Sequence, residues 1–359
     1  MSILTTILFI CAIIAFADKA TGSRLGFGKS IDEGMSMMGP TTIAILGVSS
    51  VGLVFIESHA KAIAQLDSIL FFDPSMLVGV MLCPEMGAFS LTRQMTDDAG
   101  LIVFNGIVIA GLLGQVTSFQ FPVFFASLDK SYHDVIIKGF IIGLSVIPVG
   151  LLIGAVMLKL SLSVFIFEFC PIFVMCLLLA VGMIRVQRVT VKIISVVARL
   201  IQIIIYLSLV IAMIGIFVPA YEYVENYYID DALRVILQCT IIICGALALS
   251  DVIVKLFKKQ LSWIASKIGV NNVSVVAFIL GMVNSLAVLT LYNKMDEKGR
   301  LMAAAFAVSG SFLLGGQMAF VASVVDDSYY LIVYLVTKSL CGSISLFAAH
   351  KLYPFMNCI

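Results

Sequence analysis

The chain has 359 residues, 61% hydrophobic and 12% charged, with a mean hydropathy of +1.13. That leaves too few polar residues to cover a soluble core, so the composition is that of a polytopic membrane protein. A net charge of +1 excludes a basic footprint for nucleic acid; the eight Cys, with no CxxC pair and no His nearby, read as small buried hydrophobes rather than a metal site or disulfide framework.

Eleven apolar segments follow one another, over 2–17, 34–57, 74–92, 100–119, 134–158, 162–184, 193–218, 232–254, 272–293, 301–320 and 329–350. Most are near the roughly 20 residues a spanning helix needs. In the first, Ala15-Phe16-Ala17 imitates a signal-peptidase site, but no basic stretch precedes it and Lys19, Arg24 and Lys29 follow, so an uncleaved helix with its N-terminus outside is expected. Gly22 to Ser30 imitates a phosphate loop with Ser23 where the first Gly belongs and no strand before it, which argues against nucleotide binding. Short amphipathic pieces at 61–72 and 259–269 precede the third and ninth segments. Gly139/Gly143 and Gly150/Gly154 are small-residue pairs suited to helix packing.

The third segment carries Leu82-Cys83-Pro84-Glu85-Met86-Gly87-Ala88-Phe89, an acid between a helix breaker and a permissive glycine. An ionisable group inside a membrane segment is by default a functional site. The stretch has an echo two hundred positions on, where Leu91 to Met95 aligns with Leu291 to Met295 and sets Glu85 opposite Ser285 and Pro84 opposite Asn284. Asp73-Pro74 aligns with Asn271-Asn272, and Gly111 to Gln115 with Leu313 to Gln317. Two repeats are therefore expected, 1–160 and 190–359, joined by a helix and loop at 161–189. If 74–92 and 272–293 are re-entrant, most Lys and Arg fall on one side, as cytoplasmic loops require. Nine spans then remain, five between the starts of the two repeats, and an odd number inverts the second copy. Transporters with inverted repeats bind substrate near the midplane, at broken helices. The expected fold is thus an all-α polytopic membrane protein of two inverted repeats, each with a broken or re-entrant helix.

Glu85 has three readings: cation ligand, proton carrier, or structural partner of a basic group. Asn284 and Ser285 offer amide and hydroxyl groups for a substrate hydroxyl or for the carbonyls of a helix break. Gln115 and Gln317 end matching helices and are candidates to line a cavity. Phe89 and Tyr292 lie beyond the two tips, where a ring face meets an ammonium group or simply packs. Lys338, deep in the last segment, calls for a carboxylate partner, Glu85 or Asp251.

Several blocks in order resemble the ethanolamine utilization transporter family (EutH), bacterial inner-membrane proteins. They are Phe27 to Ile31 with Glu33-Gly34, Pro74-Ser75-Met76 with Gly79, and Glu85-Met86-Gly87 with Phe89. In the second half they are Asn271-Asn272, Lys294-Met295-Asp296 with Gly299, and Ala305 to Ser309. The chain departs from the family pattern at Glu85, where Asp is expected, at Ser285 of an Asn-Asn pair, and at Gly316-Gln317 in place of Asp-His. The resemblance implies uptake of ethanolamine, or a similar small hydroxyalkyl amine, across the bacterial cytoplasmic membrane by alternating access. From the readings of the residues above, the expected substrate site is drawn from Glu85, Met86, Gly87, Phe89, Asn284, Ser285, Gln115 and Gln317.

A channel or facilitator for small amines or ammonium is the alternative. An enzyme is not expected, since HExxH and GxSxG are missing and the three His are far apart. No cofactor or metal is expected, and the residues leave proton or sodium coupling open. The expected partners are the amine substrate and membrane lipid, not nucleic acid; a homo-oligomer is suggested by analogy with elevator-like carriers.

Overall fold

The computed structural model describes residues 3–47, 52–59, 69–218, 221 and 226–356. It is built of helices, with no strand among the described residues. The first part comprises α1 (Ile3–Ala20), α2 (Gly28–Ser36), α3 (Met38–Gly47), α4 (Leu53–Ser58), α5 (Ser75–Met81), a 3-10 turn (Pro84–Met86) and α6 (Ala88–Met95). Next comes α7 (99–127), whose turns widen to π geometry over Phe104–Gly114 and Val116–Gln120. Long helices follow: α8 (His133–Met157), α9 (Leu162–Arg185), α10 (Gln187–Phe217) and α11 (Asn226–Leu256). The last part holds α12 (Lys258–Ile268), α13 (Asn272–Val283), α14 (Ser285–Leu291), α15 (Glu297–Ser309), α16 (Gly316–Val324) and α17 (Ser328–Met356).

Among the described residues six stretches are long and apolar enough to cross a membrane, over 99–125, 130–157, 162–185, 188–217, 229–253 and 328–355. The bent pair Lys259–Ile268 and Asn272–Val283, turned by 107°, makes a seventh where it counts as one span. The protein is an all-α, multi-pass membrane protein. Local chemistry explains many element ends. The Asp98 carboxylate accepts from Gly100 N at 2.8 Å and Leu101 N at 3.0 Å to start α7, and Asn271 Oδ1 accepts from Ser274 N at 2.9 Å to start α13. Gly269, at φ +67°, ends α12 in the left-handed conformation that only glycine adopts cheaply. After α1 the chain curls around its own acid: the buried Asp18 accepts from Leu25 N at 2.7 Å and Phe27 N at 2.9 Å. In the phosphate-loop lookalike the amides of Gly22, Ser23, Leu25, Gly26 and Phe27 are thus already occupied.

Two apolar segments are interrupted where their sequence reads as continuous. Segment 34–57 turns at Met37, between α2 and α3, and segment 301–320 breaks at 310–315 between α15 and α16. The second break survives because its backbone finds partners: Phe312 N donates to Gly281 O at 3.2 Å and Leu314 N to Met282 O at 2.8 Å, at the unwinding end of α13. Unwound backbone at membrane depth requires such cover. The amphipathic piece at 61–72 lies mostly outside the described residues.

The interior is drawn together by α8. A Cβ on Gly139 would sit 2.5 Å from Ala304 Cβ and one on Gly143 2.5 Å from Val308 Cβ, so these glycines bring α8 backbone-close to α15. Two turns further, a Cβ on Gly150 would meet Cys341 Sγ of α17 at 2.4 Å. Helices α9 and α10 lie outside this bundle, with Phe173, Leu178, Ile204 and Leu207 exposed on apolar faces suited to lipid.

Candidate functional site

The sequence break at 82–87 is a break in space. Leu82 and Cys83 are extended, Pro84 starts the 3-10 turn, and Gly87 at φ +99° turns the chain into α6. Helix α13 stops in the same way at Asn284, which is extended (φ −151°, ψ 116°). Both interruptions reach one cavity of about 430 Å³. Cys83, Glu85 and Met86 form part of its wall, Asn284 another, and Phe312 and Gly316 of the third break a further part. Ser36, Met37, Thr41 and Ile43 from α2, α3 and their junction, Phe119 from α7, Gln202, Ile205 and Tyr206 from α10, and Cys239 and Ile243 from α11 complete it. Gln202 and Tyr206 are exposed and stand at its edge.

The polar content of this wall is sparse. Among the described residues Glu85 is its one carboxylate, and Glu85 Oε2 is buried with no hydrogen-bond partner. Asn284 Nδ2 donates to Met37 Sδ at 3.5 Å. Phe119 and Phe312 meet edge to face, 5.7 Å between ring centres. Phe312 is one of three described non-glycine residues with positive φ (+59°); its carbonyl accepts from the Tyr334 hydroxyl at 2.8 Å. Backbone held in that region of φ by its surroundings concentrates at ligand sites.

Behind Glu85 stands a second polar group. Lys338 of α17, 1% exposed, donates through Nζ to Gln115 Oε1 at 2.8 Å and to Gln317 Oε1 at 2.6 Å. Gln115 Nε2 in turn donates to Val308 O at 2.7 Å. The ammonium thus ties α7, α16 and α17 together, within electrostatic reach of Glu85 but not in an ion pair with it.

The sequence model of the ethanolamine utilisation protein EutH matches residues 1–352. The chain belongs to the EutH family. It is 26% identical over 355 residues, 96% of this chain and 92% of the other, to a protein named probable ethanolamine permease in Listeria monocytogenes. It is 24% identical to the uncharacterized protein YxeR of Bacillus subtilis, covering 97% of this chain and 94% of that one. To the probable ethanolamine permease of Escherichia coli it is 22% identical, over 94% of this chain and 88% of that protein. No solved structure matches.

The residue blocks that carry the EutH resemblance fall at the helix breaks. Pro74 to Met76 opens α5, and Glu85 to Phe89 forms the turn into α6. Asn271 N donates to Asp296 Oδ1 at 3.0 Å and Asn271 Nδ2 to Lys294 O at 2.9 Å, so two second-half blocks clasp each other at the start of α13. Ala305 to Ser309 ends α15 just before the 310–315 break.

Of the residues singled out in sequence, Glu85, Met86 and Asn284 come together in the cavity, with Gly87 shaping the turn beneath them. The rest go elsewhere. Ser285 turns its side chain away, into the packing between Phe278, Val288 and Phe306, where its Oγ has no partner. Gln115 and Gln317 are fully buried around Lys338 rather than on the cavity wall. Phe89 packs in the core with the Arg93 guanidinium 5.9 Å from its ring centre, and Tyr292 packs against Phe124 and Tyr132. The expected carboxylate contact of Lys338 is replaced by two amide oxygens: glutamine carbonyls satisfy an ammonium without burying a second charge. Asp251 instead accepts from the Ser30 hydroxyl at 2.7 Å, joining α11 to α2. Sequence reasoning passed over Phe312, Phe119, Gln202 and Tyr206, since aromatics and a lone Gln in membrane helices give no local sign of facing a cavity.

Proposed function

We propose that this protein is a permease for ethanolamine or a similar small hydroxyalkyl amine, working by alternating access in the bacterial cytoplasmic membrane with its N-terminus outside and C-terminus inside. The observation that carries this reading is one cavity whose only carboxylate among the described residues, Glu85, comes from one helix break while Asn284 comes from another. An amine of Lys-like basicity is protonated at neutral pH and crosses lipid only through its small neutral fraction. Glu85 meets the ammonium, the rings of Phe119 and Phe312 offer it faces, and the Asn284 amide takes the hydroxyl as donor or acceptor. The relatives' name, probable ethanolamine permease, supports the same substrate.

Inverted repeats over 1–160 and 190–359 are part of this proposal. In support, the two halves brace their breaks alike. A Cβ on Gly114 would sit 2.1 Å from Leu82 O, at the end of α5, and one on Gly315 would sit 1.8 Å from Val283 O, at the end of α13. Each break is thus seated against a glycine of a neighbouring segment, a contact that fixes its depth. Lys338, held by the matched pair Gln115 and Gln317, stands where these halves meet. The cavity is larger than ethanolamine, so the substrate enters with water, and closure of the tips around it is the step that commits it.

Uptake of labelled ethanolamine into vesicles tests this. The expected result is saturable uptake that accelerates exchange against internal ethanolamine, and flux that rises without saturation would replace the carrier by a channel.

A further inference from the structure

A second intramembrane acid lies away from the cavity. Glu168 sits in α9 on the one stripe of that largely exposed helix that turns inward, with Ile172, Cys176 and Met183, and is 2% exposed. One oxygen is engaged: Glu168 Oε1 accepts from Asp73 N at 2.7 Å, just before α5 begins. The other, Oε2, is buried without a partner. Asn105 of α7, fully buried, lies beside the same carboxylate and donates through Nδ2 to Ser75 Oγ at 3.0 Å, while its Oδ1 is likewise unpartnered. Glu168 Oε2 and Asn105 Oδ1 are thus two buried oxygens with no partner at hydrogen-bond distance, the Asn105 amide being the side-chain donor that faces the carboxylate.

The other half of the chain provides the comparison. There the amide aligned with that of Asp73 is met by Asp296: its Oδ1 accepts from Asn271 N at 3.0 Å and from Ser274 Oγ at 2.7 Å, at the start of α13, with the residue half-buried rather than enclosed. A structural clasp needs no more than that. In the first half the clasp is taken into the interior and left one donor short, which a purely structural acid has no reason to be.

We infer that Glu168 is a proton-binding site at the root of α5, loaded and unloaded through the partly exposed Asp73 during transport. A proton on Oε2 removes the bare charge and brings the donor that the site lacks. It needs no added space, and the packing here is close: a Cβ on Gly79 would lie 2.2 Å from Asn105 O. Asp73 is the one other titratable group facing Glu168; no ion pair involves Glu168 among the described residues. The site is joined mechanically to the substrate cavity, because α5 runs from the Glu168 clasp directly to the turn that carries Glu85. Loss of the proton leaves a bare carboxylate beside the carboxylate of Asp73, which favours release of the clasp and movement of α5. The coupling role rests on the permease reading; the proton site itself does not.

Infrared difference spectroscopy of the purified full chain across a pH titration tests the site without substrate. The wild type is expected to show a protonated-carboxyl band, shifted in D2O, that Glu168→Gln lacks and Glu85→Gln retains. Identical spectra for the wild type and Glu168→Gln would overturn the assignment. Should Glu168→Gln not fold, Asn105→Ala removes one of the two acceptors, and the band is expected to move; an unmoved band counts against the site. In proteoliposomes, Glu168→Gln is expected to keep exchange of labelled ethanolamine and lose accumulation driven by a pH gradient. Accumulation equal to the wild type, or driven only by a sodium gradient, would refute proton coupling here. Absence of any ethanolamine exchange in the wild type would instead refute the permease reading.

Discussion

Replacing Glu85 by Gln removes the cavity's only carboxylate charge among the described residues while keeping its shape. Glu85 Oε2 has no hydrogen-bond partner, and no cation stands within ion-pair distance among the described residues, so the carboxylate has a full charge-assisted bond to give a bound ammonium. Such bonds contribute about 1.5–3 kcal/mol net. At 1.4 kcal/mol per factor of ten, Glu85→Gln is expected to weaken ethanolamine binding by about ten- to a hundred-fold. Isothermal titration of the purified protein measures this, with ethylene glycol, which keeps a hydroxyl and lacks the amine, as the control. An unchanged Kd for ethanolamine, or an equal loss for both ligands, would refute the pairing of Glu85 with the ammonium group.

Asn284→Ala is expected to raise the ethanolamine Kd by a smaller amount, since a neutral hydrogen bond contributes about 0.5–1.5 kcal/mol, and to leave the affinity for ethylamine unchanged in the same titration. Lys338→Met removes the ammonium shared by Gln115 and Gln317 and leaves a buried acceptor unmet, which costs about 1–3 kcal/mol and lowers the unfolding temperature in detergent. Gly315→Ala is expected to abolish folding or transport, because its Cβ would meet Val283 O at 1.8 Å, whereas Gly316→Ala, facing only Ile243 Cδ1 at 3.7 Å, is tolerated. Expression and uptake of the two variants side by side separate these outcomes. Gly87→Ala places a side chain at φ +99° and is expected to destabilise the turn by about 1–2 kcal/mol, read as a lower midpoint of thermal unfolding.

Composition and hydrophobic runs by themselves determined that this is a helical, multi-pass membrane protein, because no other arrangement hides so much apolar surface and backbone from water. The break at 82–87 was equally legible, since Pro84 and Gly87 act on their own backbone whatever surrounds them, and a carboxylate between them is costly enough to be a signal. The same rule applied to Glu168 would have marked it; it went unremarked although Pro171 follows three residues on, inside α9. The break at 310–315 was not legible: Gly310, Gly315 and Gly316 permit it, but the carbonyls of Gly281 and Met282 are what hold it open. Packing alone decided which polar groups meet. In a membrane helix every face is apolar, so periodicity does not separate the side that faces lipid from the side that faces a cavity. Hence Ser285 and Asn284, adjacent in sequence, serve different neighbourhoods, and Gln115, Gln317 and Lys338 meet only because three helices cross at one depth.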